Sequence, residues 1–267
     1  LPIFGGTLTA ASGITGYVED GQTAGASPQL CITGGSLALP GGWDLGSLPL
    51  GATATLCFGL TSATTLGLPT SGALTFSAAS NAINTVTISG GTLVLSASNT
   101  LANLAVSGGT VTLSAANTIT NGLSLSGGTV VLLNAGSAGS SAIQASGSTL
   151  QVGVARGSSL TLANAITVSA GTRTYLSPQI NGGSSGTSTI NFGGTLTVNA
   201  GGILTLGTPG SNAAYGTANG ALVFGAAATS GTKFQLNGNS FTVTGLSTDA
   251  TTPGSATVEN GSTTAAT

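Results

Sequence analysis

The chain has 267 residues and carries little charge: 3% of its residues are charged, histidine is absent, and the formal net charge at pH 7 is −2. So few basic residues leave no electrostatic footprint for nucleic acid or for an anionic membrane surface. General acid–base catalysis needs titratable groups brought together, so this composition argues against an enzyme, and no catalytic, cofactor-binding or metal-binding residue is assigned.

The first predicted element is an extended segment over residues 1–10, which contains the phrase Gly5-Gly6-Thr7-Leu8. We expect this strand either to complete its own first coil or to pair with a neighbouring subunit. The residues assigned to self-association on this basis are Leu1, Pro2, Ile3, Phe4 and Leu8. The acidic pair that follows, Glu19-Asp20, is predicted to lie in an exposed turn.

Residues 28–60 differ in composition from the rest, since they contain both cysteines, the single tryptophan and three of the eight prolines. Two cysteines in a chain of secreted type most simply form one disulfide, Cys31–Cys57; two buried free thiols are the alternative. A zinc or redox site is excluded because the cysteines are 26 positions apart and no histidine is present. Residues 1–60 are therefore predicted to form an N-terminal strand and a disulfide-containing cap, or a small accessory β-layer.

Residues 61–206 are the repeat region, entered through a connector over 61–72. The phrase Ser-Gly-Gly-Thr, followed by an apolar-x-Leu triplet, begins at Ser89, Ser107 and Ser126, at spacings of 18 and 19 residues. A second alternating triplet precedes each glycine pair, so every period reads as strand, turn, strand, turn. Strands that recur in this way without a helical pattern predict an all-β fold, a parallel β-solenoid (β-helix) with coils of about 18–20 residues.

Side chains alternate along a strand, so the outer residues of each triplet are predicted to face the core and the middle one to face outward. The first set of core triplets comprises 74–76, 93–95, 111–113, 130–132, 150–152, 160–162, 196–198 and 204–206. The second set pairs Val86/Ile88, Leu104/Val106, Leu123/Leu125, Ile143/Ala145, Ile166/Val168 and Ile190/Phe192. Asn99 and Asn117, 18 positions apart, are expected to stack as an internal amide ladder.

Two insertions, 134–141 and 172–187, interrupt the repeats, and insertions in solenoids usually form loops on one edge. Arg173 and Tyr175 lie in the second, and Arg156 lies between the two; they could contact a sugar or an anion, or simply be scattered solubilising side chains. Residues 207–267 are predicted to form a β-hairpin over 233–244, around Asn237-Gly238, and a polar tail pinned by a neighbouring subunit.

The pattern over Gly108–Thr129 resembles the autotransporter-associated β-strand repeats of bacterial surface proteins, and the resemblance extends over roughly 70–206. It implies a secreted, passenger-like β-solenoid. Because the chain begins at Leu1, we expect a mature form or a fragment. No apolar run approaches the ~20 residues that a membrane-spanning helix needs, so no transmembrane segment is expected.

These observations favour an extracellular structural protein that self-associates, as a homo-oligomer or homopolymer, into a filament or surface layer. The nearly uncharged surface and the open ends of a solenoid support this reading. One alternative is an adhesin passenger that binds glycans or surfaces through edge loops. Another is an ice- or crystal-binding solenoid with an outward threonine array, formed by Thr75, Thr112, Thr161, Thr197 and Thr205.

Overall fold

The computed structural model describes residues 92–96, 98–155, 157–181, 188–207 and 213–266, together with Gly90 and the strands that precede it. Before residue 92, side-chain environments are described only for Val86 and Ile88. At residues 179–181 and 213 the description is likewise limited to the backbone pairing.

All regular structure in the described residues is β-strand, and the strands pair in parallel. The strands that precede the first full repeat phrase are β1 (Pro2–Ile3), β2 (Thr7–Ala10), β3 (Ile14–Thr15), β4 (Glu19–Asp20), β5 (Gln29–Ile32), β6 (Leu37–Ala38), β7 (Thr55–Cys57), β8 (Thr65–Leu68), β9 (Ala73–Phe76) and β10 (Ala82–Ile88).

Eighteen further strands follow in the described residues. They are β11 (Thr92–Leu95), β12 (Thr100–Val106), β13 (Thr110–Leu113), β14 (Thr118–Leu125), β15 (Thr129–Leu132), β16 (Ile143–Ala145), β17 (Thr149–Ala155), β18 (Ser159–Leu162), β19 (Ile166–Val168), β20 (Arg173–Asn181), β21 (Ser188–Phe192), β22 (Leu196–Val198), β23 (Ile203–Leu206), β24 (Ala213–Tyr215), β25 (Leu222–Phe224), β26 (Lys233–Gln235), β27 (Leu246–Thr248) and β28 (Thr257–Glu259).

Two long sheets dominate the described structure. The eleven-stranded sheet has the order β27-β25-β22-β19-β16-β14-β12-β10-β8-β6-β3, and the nine-stranded sheet has the order β28-β26-β23-β20-β17-β15-β13-β11-β9. Successive passes of the chain therefore add one strand to each sheet, and we call one such pass a coil. The predicted all-β fold of stacked parallel strands is confirmed, and it is consistent with a β-solenoid.

Core-facing and surface-facing residues alternate in most strands as the sequence predicts, but the middle residues Val131 of β15 and Thr205 of β23 are buried. In β13, Val111 and Leu113 are fully buried, whereas Thr110 and Thr112 are half-buried. The strand register aligns core residues of successive coils, since Val111 pairs with Leu93 on one side and with Val130 on the other. Like residues thus stack on like, and an aliphatic core runs along the stack.

The glycine pair of the repeat phrase forms a tight corner between the two long sheets. Gly109 and Gly128 adopt φ values of 70° and 68°, a left-handed conformation that glycine reaches without steric cost. The corners of successive coils also touch: a Cβ atom at Gly128 would lie 2.6 Å from the carbonyl oxygen of Gly109. Only glycine satisfies both constraints, and this explains why the phrase recurs.

The second half of the molecule corrects the predicted two-column core. From Ser159 onward three coils gain a further strand, and these strands, β18, β21 and β24, form a separate three-stranded sheet. The triplet 160–162 and the pair Ile190/Phe192 therefore belong to this sheet, whereas 196–198 lies in the eleven-stranded one. The coil lengthens accordingly: Leu123 pairs with Ile143, 20 positions on, but Ile166 pairs with Leu196, 30 positions on.

Aromatic side chains fill the wider coils. Phe192 and Phe234 are almost completely buried, and Phe241 lies between them, with ring centroids 6.4 and 5.3 Å away. Tyr215 packs edge-on against Phe241 at 5.5 Å. A larger cross-section leaves space that aliphatic residues would not fill, and close packing in protein interiors does not tolerate such voids.

The predicted hairpin over 233–244 is wrong. A hairpin needs antiparallel strands, but β26 pairs in parallel with β23 and β28, and β25 pairs in parallel with β27. Asn237 and Gly238 do form a turn, with φ values of 49° and 79°, but it leads the chain around a corner of the coil. The parallel sheets consequently continue beyond residue 206, where the predicted repeat region ends.

At the N-terminal end, the paired strands also change two predictions. Glu19 and Asp20 form β4, which pairs with β1, so they lie in a strand rather than a turn. The predicted connector contains β8, which belongs to the eleven-stranded sheet. Strands β2, β5 and β7 form a sheet of their own. The assignment of this region as a cap remains a prediction.

Candidate functional site

The two cysteines occupy paired positions in the backbone register. Cys31 in β5 and Cys57 in β7 are Cα partners on neighbouring parallel strands. Neighbouring strands lie about 4.8 Å apart, which falls within the roughly 4.4–6.8 Å between Cα atoms that disulfides bridge. The two side chains lie outside the described residues, so the Cys31–Cys57 disulfide stays a prediction.

The N-terminal residues assigned to self-association are divided between two strands. Pro2 and Ile3 form β1 and pair with β4, and Leu8 lies in β2 opposite Leu30 of β5. Leu1 and Phe4 lie outside the described residues. Each of these strands thus pairs with a strand of its own chain on one side, and β2 is the terminal strand of its sheet.

The opposite end of the stack exposes residues in core register. Strands β27 and β28 are the last strands of the two long sheets. Leu246 pairs with the buried Leu222, and Val258 pairs with the buried Phe234, yet their exposed fractions are 62% and 45%. These side chains occupy core columns with no further coil over them in the described residues. We refer to β27 and β28 with these two residues as the open end.

Some backbone N–H and C=O groups at the open end also face away from the neighbouring strand of the sheet. The Thr257 N–H donates to the Thr232 carbonyl at 2.9 Å, and the Glu259 carbonyl accepts from the Leu236 N–H at 2.8 Å. Residues of a parallel strand turn alternately toward one neighbour and the other, so the N–H and C=O of Val258 face away from β26. The same alternation turns those of Leu246 away from β25, because Gly245 accepts from Leu222.

A second feature is a polar cluster on the outer surface of the nine-stranded sheet. It combines three of the chain's eight charged residues with two further polar side chains: Arg173 and Tyr175 of β20, Lys233 and Gln235 of β26, and Glu259 of β28. We call these five residues the charged face. Register aligns them, since Tyr175, Thr205, Gln235 and Glu259 form one column across four adjacent strands.

Hydrogen bonds fix one half of the charged face. Lys233 Nζ donates to both carboxylate oxygens of Glu259 at 3.1 and 3.0 Å, and Gln235 Nε2 donates to Glu259 Oε1 at 2.6 Å. The Gln235 amide is oriented in turn by Thr205, whose Oγ1 donates to Gln235 Oε1 at 2.9 Å. The bond from Gln235, followed by that from Lys233, lowers the pKa of Glu259. Glu259 therefore remains ionised at neutral pH.

The other half of the charged face is open. The Arg173 guanidinium lies 6.0 Å from the ring centroid of Tyr175, within range of a cation–π contact, and 41% of Tyr175 is exposed. Lys233–Glu259 is the ion pair found among the described residues, so Arg173 has no carboxylate partner there. Both residues lie in strand β20, which corrects their predicted position in an insertion loop.

The predicted threonine array does not form. Thr161 lies in the three-stranded sheet, Thr197 lies in the eleven-stranded sheet, and Thr112 and Thr205 stand in different columns of the nine-stranded sheet. For Thr75 only the backbone pairing is described. The column of Thr205 does contain threonine at the first position of four earlier consecutive strands, Thr92, Thr110, Thr129 and Thr149, and it reaches Thr205 through Tyr175. Its signal in the sequence is the threonine of each Gly-Gly-Thr phrase.

The predicted asparagine ladder links coils through the backbone. Asn99 and Asn117 are both buried. Asn117 Oδ1 accepts from the Asn99 backbone N–H at 3.0 Å, and Asn117 Nδ2 donates to the Ala115 and Ser137 carbonyls at 2.9 and 3.1 Å. One amide thus joins three successive coils, and its role is structural.

Neither a metal site nor a membrane-spanning helix is found among the described residues. They contain no group of three or more histidine, cysteine, aspartate or glutamate side chains arranged to hold a metal ion. Within the same part of the chain, no helix has the length and apolar character needed to cross a membrane. No protein-family model, no curated protein and no solved structure matches the chain, so the functional argument rests on the open end and the charged face.

Proposed function

We propose that this protein is a secreted structural protein whose subunits associate end to end, into an extracellular filament or surface layer. The observation that carries the proposal is the open end, where Leu246 and Val258 occupy core columns but are exposed. Exposed sheet edges with apolar side chains are templates for further strands, and proteins that remain monomeric usually block them. In the described residues of β27 and β28, Glu259 is the one charged side chain, and it is held by Lys233.

The occupant we propose for the open end is the N-terminal end of a second copy. That end presents parallel strands too: β3 terminates the eleven-stranded sheet and β2 terminates its own sheet. A contact between two different ends of the same molecule is heterologous, so it does not close on itself unless a rotation completes a ring. Repetition of the contact then yields a filament. A chain with 3% charged residues offers little electrostatic repulsion against it.

Two further elements belong to this proposal. The Cys31–Cys57 disulfide would tie β5 to β7 and stabilise the N-terminal end that docks, as expected outside the cytosol. The resemblance to autotransporter-associated repeats supports an extracellular location and a passenger-like origin. Both follow from the sequence, and the paired register of the cysteines is compatible with the first.

Negative-stain electron microscopy and analytical ultracentrifugation test the proposal. The unmodified protein is expected to form regular fibres or a ladder of oligomers, and deletion of residues 1–10 or the substitution Leu246→Asp is expected to leave monomers. Gln144→Ala, at an exposed outward position of β16, is the matched control and should assemble normally. A wild-type protein that stays monomeric at high concentration, or fibres that survive Leu246→Asp, would contradict end-to-end association.

A further inference from the structure

We propose that the charged face is a binding site for an acidic oligosaccharide, a sugar chain that bears carboxylate groups. The charged face shares Glu259 of β28 with the open end, but its ligand-binding half, Arg173 and Tyr175, lies in β20, three strands away from β28 in the nine-stranded sheet, and can be tested separately from end-to-end association. Binding at the charged face also differs from binding through edge loops, since the residues that carry it lie on strands.

The aromatic ring supplies the first requirement of a sugar site. Tyr175 is the one exposed aromatic side chain among the described residues, with 41% of its surface accessible, whereas the other large aromatic rings nearby are packed into the core. An exposed tyrosine offers a flat apolar surface with a polar tip, which suits the C–H face of a sugar ring and its hydroxyl groups. Its place on a sheet holds the ring without a loop having to be ordered on binding.

Arg173 determines the charge of the ligand. Its guanidinium contacts the Tyr175 ring and forms no salt bridge among the described residues, although its charge acts on Glu259 and helps to lower the pKa of that carboxyl. Lys233, by contrast, is already bound to Glu259 at 3.0 Å. The charged face therefore carries a net charge of one positive unit, on a chain whose overall charge is −2. A planar guanidinium beside an aromatic ring matches a carboxylate in two parallel hydrogen bonds.

The column geometry favours a chain rather than a single sugar. Neighbouring strands are about 4.8 Å apart, so the column from Tyr175 through Gln235 to Glu259 extends over roughly 14 Å along the stack. Thr205, the remaining member of the column, is buried and only supports the Gln235 amide. Thr205, Gln235 and Glu259 are locked by mutual hydrogen bonds, so little side-chain entropy remains to be lost on binding. Glu259 is ionised and can accept hydrogen bonds from hydroxyl groups at the β28 end of the column.

Calorimetric titration of the full chain with oligogalacturonate, and with a neutral cello-oligosaccharide of equal length, tests the inference. We expect saturable binding of oligogalacturonate and a weaker response to the neutral oligomer. Arg173→Gln and Tyr175→Ala should each weaken the binding of oligogalacturonate about tenfold or more. Gln144→Ala, on the other long sheet, should bind as the wild type does. Circular dichroism confirms that each variant is folded.

Three results would overturn the inference: no binding of oligogalacturonate, equal binding of both oligomers, or full binding by Arg173→Gln. Electron microscopy of the same variants separates this outcome from that of the proposed function. Neither Arg173→Gln nor Tyr175→Ala alters the open end, so both should assemble as the wild type does. Loss of saccharide binding with intact assembly in these variants supports both proposals, whereas a wild type that assembles without binding oligogalacturonate, or binds it without assembling, shows which of the two fails.

Discussion

Leu246 and Leu222 are Cα partners in the eleven-stranded sheet, yet the exposed fraction of Leu246 is 62% and that of Leu222 is 2%. Both residues are leucines, and they occupy the same core column of the sheet. What differs is the presence of a following coil. The contrast is therefore a direct measure of how much burial a neighbouring coil provides at this column.

The first prediction uses this pair. Leu222→Asp should lower the free energy of unfolding by about 3–5 kcal/mol, because a buried carboxylate has no partner there. Leu246→Asp should change the stability of the monomer by less than about 1 kcal/mol, since solvent already reaches that position. Chemical denaturation at a concentration where both variants are monomeric measures the difference. Equal losses would mean that Leu246 is covered in the monomer.

The second prediction tests the alternation of core and surface in β13. Leu113→Asp places an unpaired charge at a fully buried position and should unfold the central coils. Thr112→Asp, one residue away and half-buried, should leave a cooperative thermal transition near that of the wild type. Circular dichroism melting curves compare the two. If both variants melted alike, the inward and outward assignment of this strand would be incorrect.

The third prediction concerns the hydroxyl group of Tyr215. It donates to the Leu176 carbonyl at 2.7 Å and accepts from the Gly207 N–H at 2.8 Å, so it joins β24 to the nine-stranded sheet. Tyr215→Phe should cost about 0.5–1.5 kcal/mol, because the two bonds of the hydroxyl are lost while the Gly207 N–H still donates to the Leu176 carbonyl at 2.6 Å. Tyr175→Phe, at an exposed position, is the control and should be neutral within about 0.5 kcal/mol. Denaturant titration of both proteins provides the comparison.

Burial also raises the pKa of Tyr215 well above its usual value of 10.0. The direction of the pH dependence of stability follows from linkage. A tyrosine that ionises more readily in the unfolded state stabilises the folded protein below its unfolded pKa, and this stabilisation is lost as pH rises. Stability should therefore fall above about pH 10 in the wild type. The fall should be smaller in Tyr215→Phe. An identical alkaline profile for both proteins would show that the hydroxyl is not buried.

The fourth prediction concerns the turn after β27. The Thr251 hydroxyl, together with the N–H groups of Thr252 and Thr251, lowers the pKa of Asp249 to about 2. Because the folded value lies below the usual 3.8, the contribution of this carboxylate is complete above that value and disappears as pH falls toward 2. NMR titration of the carboxyl carbon measures this pKa. Thr251→Val should raise it part of the way, since the two N–H donors remain; an unchanged value would contradict the assignment.

The fifth prediction concerns the cysteines. In the purified, non-reduced protein, Cys31 and Cys57 should resist a thiol-alkylating reagent under denaturing conditions, and both should react after reduction. Mass spectrometry counts the modified sites. Alkylation of both residues before reduction would remove the disulfide from the proposed N-terminal end. Their paired register in β5 and β7 places them within bridging distance.

The sequence predicts the parallel stack well where the repeat phrase is regular. Positive φ at Gly109 and Gly128 requires glycine, and the stacking of Val111 on Leu93 follows from the spacing of 18 residues. Beyond Ser159 the same reasoning fails for a physical reason. An apolar-x-apolar triplet has identical chemistry in any of the three sheets, so Leu160-Thr161-Leu162 does not indicate which sheet it joins.

The charged face could not be predicted for a related reason. Arg173 and Glu259 are 86 positions apart, and their proximity depends on three successive coils whose lengths differ, at 30, 30 and 24 residues. The segment that contains Arg173 and Tyr175 departs from the repeat pattern, so it reads as an insertion although it forms β20. Only the register across β20, β23, β26 and β28 brings these side chains to one surface.

The close contact between the glycine corners of successive coils limits which substitutions and insertions the sequence can tolerate. Because Gly128 approaches Gly109 closely, a side chain at one corner would force two coils apart, and every later coil would be displaced with them. Inserted residues are better tolerated in other turns, such as the turn over 134–141, which lengthens a coil without disturbing its glycine corner. We therefore expect variants of this protein to differ by duplication or loss of whole coils and by loop length, while the corner glycines stay unaltered.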